Sequence, residues 1–353
     1  MKTKYKLLNK MLEDMDKQSK LYRPTTFWKV GSKAIIDDLE SDDIKNFRAF
    51  QASRGFFVPC YSFADYYENK NNYDDLVQSF RELSSDIRTH TKLDRLLTGR
   101  LQAFDDYRTL VASNVDNTPY TDKVSESNIG NPIEQFEFNN RKFSRSFLNY
   151  LLGVNFLKQH VNTTNIRTVM EIGGGFGSLG EILLKDQRNE AFYINADIPP
   201  VSFVSSYYLK KIFGDNQVAD YGDLYGNKEL NIDSLKSNYK AINICSWQVP
   251  FLQGKIDLFV NFISFQEMEP DVVQNYCIYI DKLEPKYILL RNILEGKRVQ
   301  SPDYLTGVKE PIVGEDYNNY LKNYHLVATD SEIFGFITED DFHSQLRIYE
   351  RVS

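Results

Sequence analysis

Two hydrophobic rhythms divide this chain. In roughly its first 165 residues, apolar positions recur mostly at three- or four-residue steps, the period of a helix buried on one face. Leu7, Leu8, Met11 and Met15 mark such a face within residues 1–20, and Trp28, Ile35, Ile36 and Leu39 mark another. Leu76, Phe80, Leu83, Ile87, Leu93, Leu97 and Leu101 keep the same step, so residues 74–113 are read as helical. Phe56, Phe57 and Val58 form a short apolar piece closed by Pro59. Residues 114–134 are polar and carry the turn signals Asn-Thr-Pro, Ser-Glu-Ser-Asn and Gly-Asn-Pro, which predict a hinge or a substrate-side loop. A further helix is predicted over 143–160.

From Thr168 the rhythm changes to short apolar runs alternating with helix-length amphipathic segments. Strands are predicted at 168–172, 191–196, 241–245, 257–263 and 286–291, with helices at 178–186, 201–213 and 270–281. Such alternation builds an α/β layer, a parallel sheet covered on both faces. The last runs, 325–329 and 346–352, have no long helix between them and can pair as an antiparallel edge, giving a mixed sheet. The chain therefore divides into an N-terminal mostly helical region, 1–135, and an α/β domain, 136–353.

The joint between the first strand and helix is unusual. Residues 168–180 read Thr-Val-Met-Glu-Ile-Gly-Gly-Gly-Phe-Gly-Ser-Leu-Gly, a strand, a glycine turn and a helix start, the usual cradle for a nucleotide-like ligand. Gly173, Gly175 and Gly177 have the G-x-G-x-G spacing of S-adenosylmethionine enzymes. Gly175, Gly177 and Gly180 have the G-x-G-x-x-G spacing of dinucleotide enzymes. A turn with no ligand is the third reading. Glu171, just before the turn, is placed to accept hydrogen bonds from a cationic ligand and would repel a pyrophosphate. Asp197 ends the second predicted strand, where an acid can bind the two ribose hydroxyls of either ligand. The lesser alternative is a helix cap or turn acid ahead of Pro199-Pro200.

Composition narrows the partners. A hydrophobic share of 42% supplies a full core, and a net charge of −7 argues against nonspecific nucleic-acid binding. Cys60, Cys245 and Cys277 lie far apart, without disulfide or zinc spacing. No stretch approaches the length of a membrane span, and residues 1–20 lack an apolar signal core, so a cytoplasmic protein is expected.

Over residues 140–353 the chain resembles class I S-adenosylmethionine-dependent methyltransferases. More narrowly, it resembles a bacterial family of sugar O-methyltransferases. That likeness rests on residues 22–28 (Tyr-Arg-Pro-Thr-Thr-Phe-Trp), Asn46-Phe47-Arg48, residues 56–59, Gly130-Asn131-Pro132 and residues 146–153. It rests also on Asp197-Ile198-Pro199-Pro200 with residues 205–209, and on Ser264-Phe265-Gln266-Glu267-Met268. The resemblance implies a Rossmann-like, seven-stranded mixed sheet and S-adenosyl-L-methionine as cofactor. It implies that Glu171, Gly173, Gly174, Gly175 and Gly177 surround the methionine part, with Arg145 near its carboxylate. Asp197 falls on the ribose-binding acid and Ile198 beside adenine. Ser246 and Trp247 fall on the adenine side, although Trp247 reads equally well as a core aromatic. Asn261 and Phe262 fall near the transferable methyl.

Methyl transfer to a sugar hydroxyl needs a group to take up the proton. The resemblance directs the search to Gln266 and Glu267, just past the fourth strand, with Glu267 as base or base-orienting acid and a helix-cap carboxylate as the alternative. His343 is the reserve base, or else a surface histidine of a hairpin. Glu267, Glu269 and Asp271 offer oxygens for a metal, but alternating acids on a loop are more often solvated, and no metal is predicted. Tyr22, Arg23 and Trp28 are expected to form part of an acceptor wall. The expected acceptor is a sugar or glycan, nucleotide-linked, lipid-linked or a glycan end, in capsule or lipopolysaccharide biosynthesis. No nucleic acid and no membrane span are expected, and a homo-oligomer is possible. The rival readings are a methyltransferase of another small molecule at oxygen or nitrogen, a nicotinamide-dependent oxidoreductase, and a non-catalytic scaffold.

Overall fold

The structure, a computed structural model, describes residues 3–63, 66–84, 86–338 and 341–352. The N-terminal part holds helices α1 (Lys6–Met15), α2 (Thr26–Ser41), α3 (Gln51–Phe56), α4 (Lys70–Leu83), α5 (Ile87–Leu97) and α6 (Arg100–Ala112). A hairpin of β1 (Phe136–Phe138) and β2 (Arg141–Phe143) leads into α7 (Arg145–His160). Next come β3 (Thr168–Ile172), α8 (Ser178–Lys185), β4 (Phe192–Asp197), α9 (Val201–Phe213), β5 (Val218–Ala219) and β6 (Leu230–Asn231). They are followed by α10 (Ile232–Asn238), β7 (Ala241–Cys245), β8 (Leu252–Gln253), β9 (Leu258–Phe262), α11 (Pro270–Lys282) and β10 (Tyr287–Ile293). The chain ends with α12 (Asp316–Tyr320), β11 (Tyr324–Asp330), β12 (Phe336–Ile337) and β13 (His343–Arg351).

The main sheet runs β11-β13-β10-β9-β3-β4-β7-β5, with β12 paired to β13. Strands β10, β9, β3, β4, β7 and β5 are parallel. Only β13 runs against its neighbours, pairing antiparallel with β10, β11 and β12. The expected α/β class and antiparallel edge are therefore present. The sheet has nine strands rather than seven, because the two-residue β5 and β12 extend it. Pieces of two residues carry no readable alternation, so the sequence pattern could not mark them.

The pleat of the strands divides the core. Val169, Tyr193, Val260 and Leu289 face one layer, with residues of α7, α8 and α9. Their neighbours Met170, Ile194, Phe259 and Ile288 face the other, with residues of α11. Alternate side chains point to opposite faces of a strand, so a sheet covered on both sides shows unbroken apolar runs. The first layer does not stop at residue 135. Phe27, Trp28, Ile35 and Leu39 of α2 belong to the same buried cluster as Val169 and Tyr193. Helix α1 packs Met11 and Met15 against Tyr221, Cys245 and Trp247.

The helical reading of 74–113 resolves into three helices. The last break falls at Gly99, whose φ of 71° ends α5 and starts α6. No described helix is long and apolar enough to cross a membrane.

Candidate active site

The parallel strands end on one edge, and there the chain opens into three connected recesses. The first, about 750 Å³ counted to its open mouth, is lined by the 173–175 turn, Tyr150, Asp197, Phe262 and Glu267, with Arg54, Phe56 and Phe57 opposite. The second, about 390 Å³, runs over Asp197 to Ile198, Ser246 and Tyr276 under Arg23, Pro24 and Thr25. The third, about 780 Å³, opens on the other side of Glu267 beneath the loop carrying Lys297, Tyr304 and Thr306. Crevices at the carboxyl ends of strands are where open α/β sheets bind ligands.

The glycine turn is built as its spacing demands. Gly173 has φ of 72°, and a Cβ there would stand 2.0 Å from Ser264 Oγ. Gly175 has φ of 56°, but a Cβ there would meet nothing nearer than Phe57 at 3.8 Å. The backbone at Gly175 is thus bare toward the first recess, while Gly173 is bare so that Ser264 can approach. Gly174 lines the recess beside them, and Gly177 caps α8.

Asp197, at the end of β4, is 8% exposed and accepts N–H bonds from Gly175 (3.2 Å) and Ile198 (2.8 Å). Burial lifts its carboxyl to about 8, only partly opposed by these two bonds. Glu171 is fully buried behind the turn. Its two oxygens accept the hydroxyls of Tyr150 (2.6 Å) and Tyr193, and burial raises it to about 7. It lines neither of the first two recesses, so it braces the turn instead of facing a ligand. Tyr150 in turn stacks on Phe262, ring centroids 4.8 Å apart and planes 7° apart, and both rings line the first recess.

Glu267 stands where the first and third recesses meet. Its Oε2 accepts the Trp28 indole N–H at 3.0 Å, and its Oε1 lies 3.6 Å from Lys297 Nζ. Thr25 Oγ1 donates to its carbonyl at 2.8 Å. Burial raises its carboxyl to about 7, against the lowering effect of Lys297 and of the Trp28 bond. A carboxylate near 7 can exchange a proton close to neutral pH. Gln266 does not touch the first recess; its Oε1 accepts the Ile293 N–H (2.8 Å) and fixes the turn. Ile263, at the same junction, has φ of 70°. A β-branched residue in the left-handed region stores roughly 1–3 kcal/mol, and such strain clusters at functional sites.

Besides Glu171 and Gln266, four further expected site residues or their side chains lie elsewhere. Arg145 turns away from the cleft, donating to the Cys60 carbonyl at 2.8 Å between the rings of Tyr61 and Phe336. Trp247 is a core aromatic against Tyr221, centroids 5.7 Å apart, while its neighbour Ser246 does line the second recess. Asn261 is fully buried, donating to the Ile172 carbonyl (2.8 Å) and accepting the Phe265 N–H (3.0 Å), so it ties two strand ends together. His343 bonds to Glu295 outside the three recesses. Among the acids, Glu269 accepts the N–H groups of Lys309 and Glu310 and Asp271 pairs with Lys20, so they do not converge with Glu267.

No family model matches the chain, and no curated protein matches it. Among solved structures it is similar to TehB from Haemophilus influenzae (10% identity over 57% of this chain and 61% of that one, TM-score 0.38). It is similar to magnesium protoporphyrin IX methyltransferase (ChlM) from Synechocystis PCC 6803 with bound SAH (13%, 71% and 94%, TM-score 0.39). It is also similar to the mitomycin 7-O-methyltransferase MmcR (10%, 91% and 73%, TM-score 0.36). The strand order defines the fold. Five longer parallel strands with an antiparallel strand inserted before the edge form the class I methyltransferase arrangement.

Several lining residues had no signal in the sequence. Arg54 enters the first recess from α3, paired with Glu68. Tyr276 enters the second from α11, and Lys297 reaches Glu267 from a loop 30 residues later in the chain. Each is brought in by tertiary packing, whereas Tyr150, with Ser146 and Asn149, sat inside a segment already singled out.

Proposed function

We propose that this chain is an S-adenosylmethionine-dependent O-methyltransferase acting on a sugar hydroxyl, with residues 1–135 forming the acceptor side. The observation that carries the reading is one continuous cleft along the carboxyl edge. It passes from Ser246 and Tyr276, over Asp197 and the bare Gly175 backbone, to the Tyr150–Phe262 pair, and reaches Glu267 at its far end. The open Gly175 position supports the fit of a nucleoside ligand, because a ligand can lie directly on that backbone. A nicotinamide dinucleotide is disfavoured, since the Gly175 N–H that would face a pyrophosphate is already held by the Asp197 carboxyl.

S-adenosylmethionine bound there would supply an electrophilic methyl group. The chain's own residues do the rest. Asp197 would accept from the ribose hydroxyls, and Ile198, Ser246 and Tyr276, which line the second recess, would wall the adenine. The Tyr150 ring would offer aromatic surface to a cationic centre, since Phe262 is covered by Tyr150 and by Arg291, whose guanidinium lies 5.3 Å from its ring centre, and Glu171 is turned to the back. Glu267 holds the proton given up by the acceptor hydroxyl, and Lys297 and Trp28 keep its carboxylate ionised and aimed. An acceptor from surface-glycan assembly is the expected substrate. Calorimetry with S-adenosylhomocysteine and with NAD tests the cofactor. Labelled S-adenosylmethionine with a panel of nucleotide sugars and glycan ends, read by mass, tests the acceptor. Binding of NAD alone would overturn the proposal.

A further inference from the structure

Glu267 separates the nucleoside-side cleft from the third recess, and that recess has its own character. Phe27, Phe56, Tyr304 and Phe336 give it ring surface. Thr306, Thr338 and Ser344 give it hydroxyls. The Gln266 amide lines it too; its oxygen is held by Ile293 N–H, which leaves the NH2 end as the donor. Its lining cation, Lys297, is 3.6 Å from Glu267 and lies 4.4 Å over the Phe27 ring, so its charge is already matched. Arg298 does not line the recess and packs over Tyr304, 5.0 Å from the ring centre; Arg145 and Arg291 do not line it either, but lie 5.4 and 5.8 Å from the Phe336 ring centre.

We infer that the third recess binds an uncharged glycosyl unit, the hydroxyl-bearing end of the acceptor, and not its phosphate. This rests on the methyltransferase reading above and adds to it where the acceptor sits and which part of it is recognised. A pyranose has apolar C–H faces that pack on aromatic rings and a rim of hydroxyls that need donors and acceptors; this lining offers both. A phosphate needs an unmatched cation or a set of free N–H groups, and the lining supplies a neutralised ion pair in their place. The recess shares Gly55, Phe56, Ile263 and Glu267 with the first one, so a hydroxyl reaching through would pass the Glu267 carboxylate.

Saturation-transfer NMR on the full chain with saturating S-adenosylhomocysteine tests this. The probes are methyl glycosides of hexoses and 6-deoxyhexoses, the matching hexose 1-phosphates, and nucleoside diphosphate hexoses. At least one methyl glycoside should bind, and adding a phosphate should not tighten binding. Tyr304 and Phe336 are half-buried, so Tyr304→Ala and Phe336→Ala should fold and each weaken glycoside binding about tenfold. Calorimetric affinity for S-adenosylhomocysteine should stay within about twofold, because neither ring lines the first two recesses. Binding of the phosphorylated probes alone, no glycoside binding, or glycoside binding unchanged in both variants would overturn the inference. Failure of S-adenosylhomocysteine to bind the wild type would instead sink the methyltransferase reading, and the two failures are read separately.

Discussion

Lowering the pH from 9 to 7 should weaken binding of S-adenosylhomocysteine, and the cause should be a single carboxyl. Asp197 is buried at the end of β4 and pushed up to about 8. In the free protein it carries its proton in about 0.9 of molecules at pH 7 and about 0.1 at pH 9. Ribose hydroxyls donate to the ionised form, so a bound adenosine unit draws the group back toward the ordinary carboxylate range. Binding at pH 7 must therefore expel about 0.9 proton. The linked cost is about 1.4 kcal/mol, close to a tenfold loss of affinity relative to pH 9. Titration calorimetry in buffers of different ionisation enthalpy counts the released protons directly. Asp197→Asn keeps the shape and cannot ionise, so the difference between wild type and variant isolates this residue from Glu171, Glu267 and the ligand's own amine. If both proteins release the same number of protons at pH 7, Asp197 does not hold the ribose and the reasoning fails.

Glu267→Gln should lower methyl-transfer turnover by about 10²- to 10⁴-fold while affinity for S-adenosylhomocysteine holds; the wild-type rate should fall on the acid side of about pH 7, the region to which its carboxyl is raised, and a flat profile would remove it as the base. Gly175→Val should leave a folded protein by circular dichroism, at a cost of roughly 1–2 kcal/mol for the left-handed backbone, and no binding heat with S-adenosylhomocysteine. Trp247→Ala should cost about 3 kcal/mol or more in denaturant unfolding, since the indole is buried against Tyr221, yet leave the folded protein's ligand affinity within about twofold; a loss above tenfold would return Trp247 to the adenine site.

The five longer parallel strands were legible because each is buried along its whole length and reads as a mostly apolar run. The cradle was legible because Gly173 and Gly175 are forced by φ and by close approach, and Asp197 because it ends a run. Roles that depend on where a side chain turns were not legible. Arg145 and Ser146 are sequence neighbours, but one points at Cys60 and the other into the cleft. Ser246 and Trp247 split the same way. Glu171 precedes the turn as expected, but two tyrosines from α7 and β4 claim its oxygens, and only the packed sheet brings them there.

The shared core of α2 and the sheet has a consequence for how acceptor choice can change. Trp28 is at once a wall of the cleft, a donor to Glu267 and a member of the buried cluster that contains Val169 and Tyr193. Grafting the first 135 residues of another protein onto this sheet would remove part of the interior together with the roof. If the third recess holds the acceptor as inferred above, new acceptor preferences should be reached by point changes on the loop around Tyr304, whose side chain is only half-buried and outside that cluster, and not by exchange of a module.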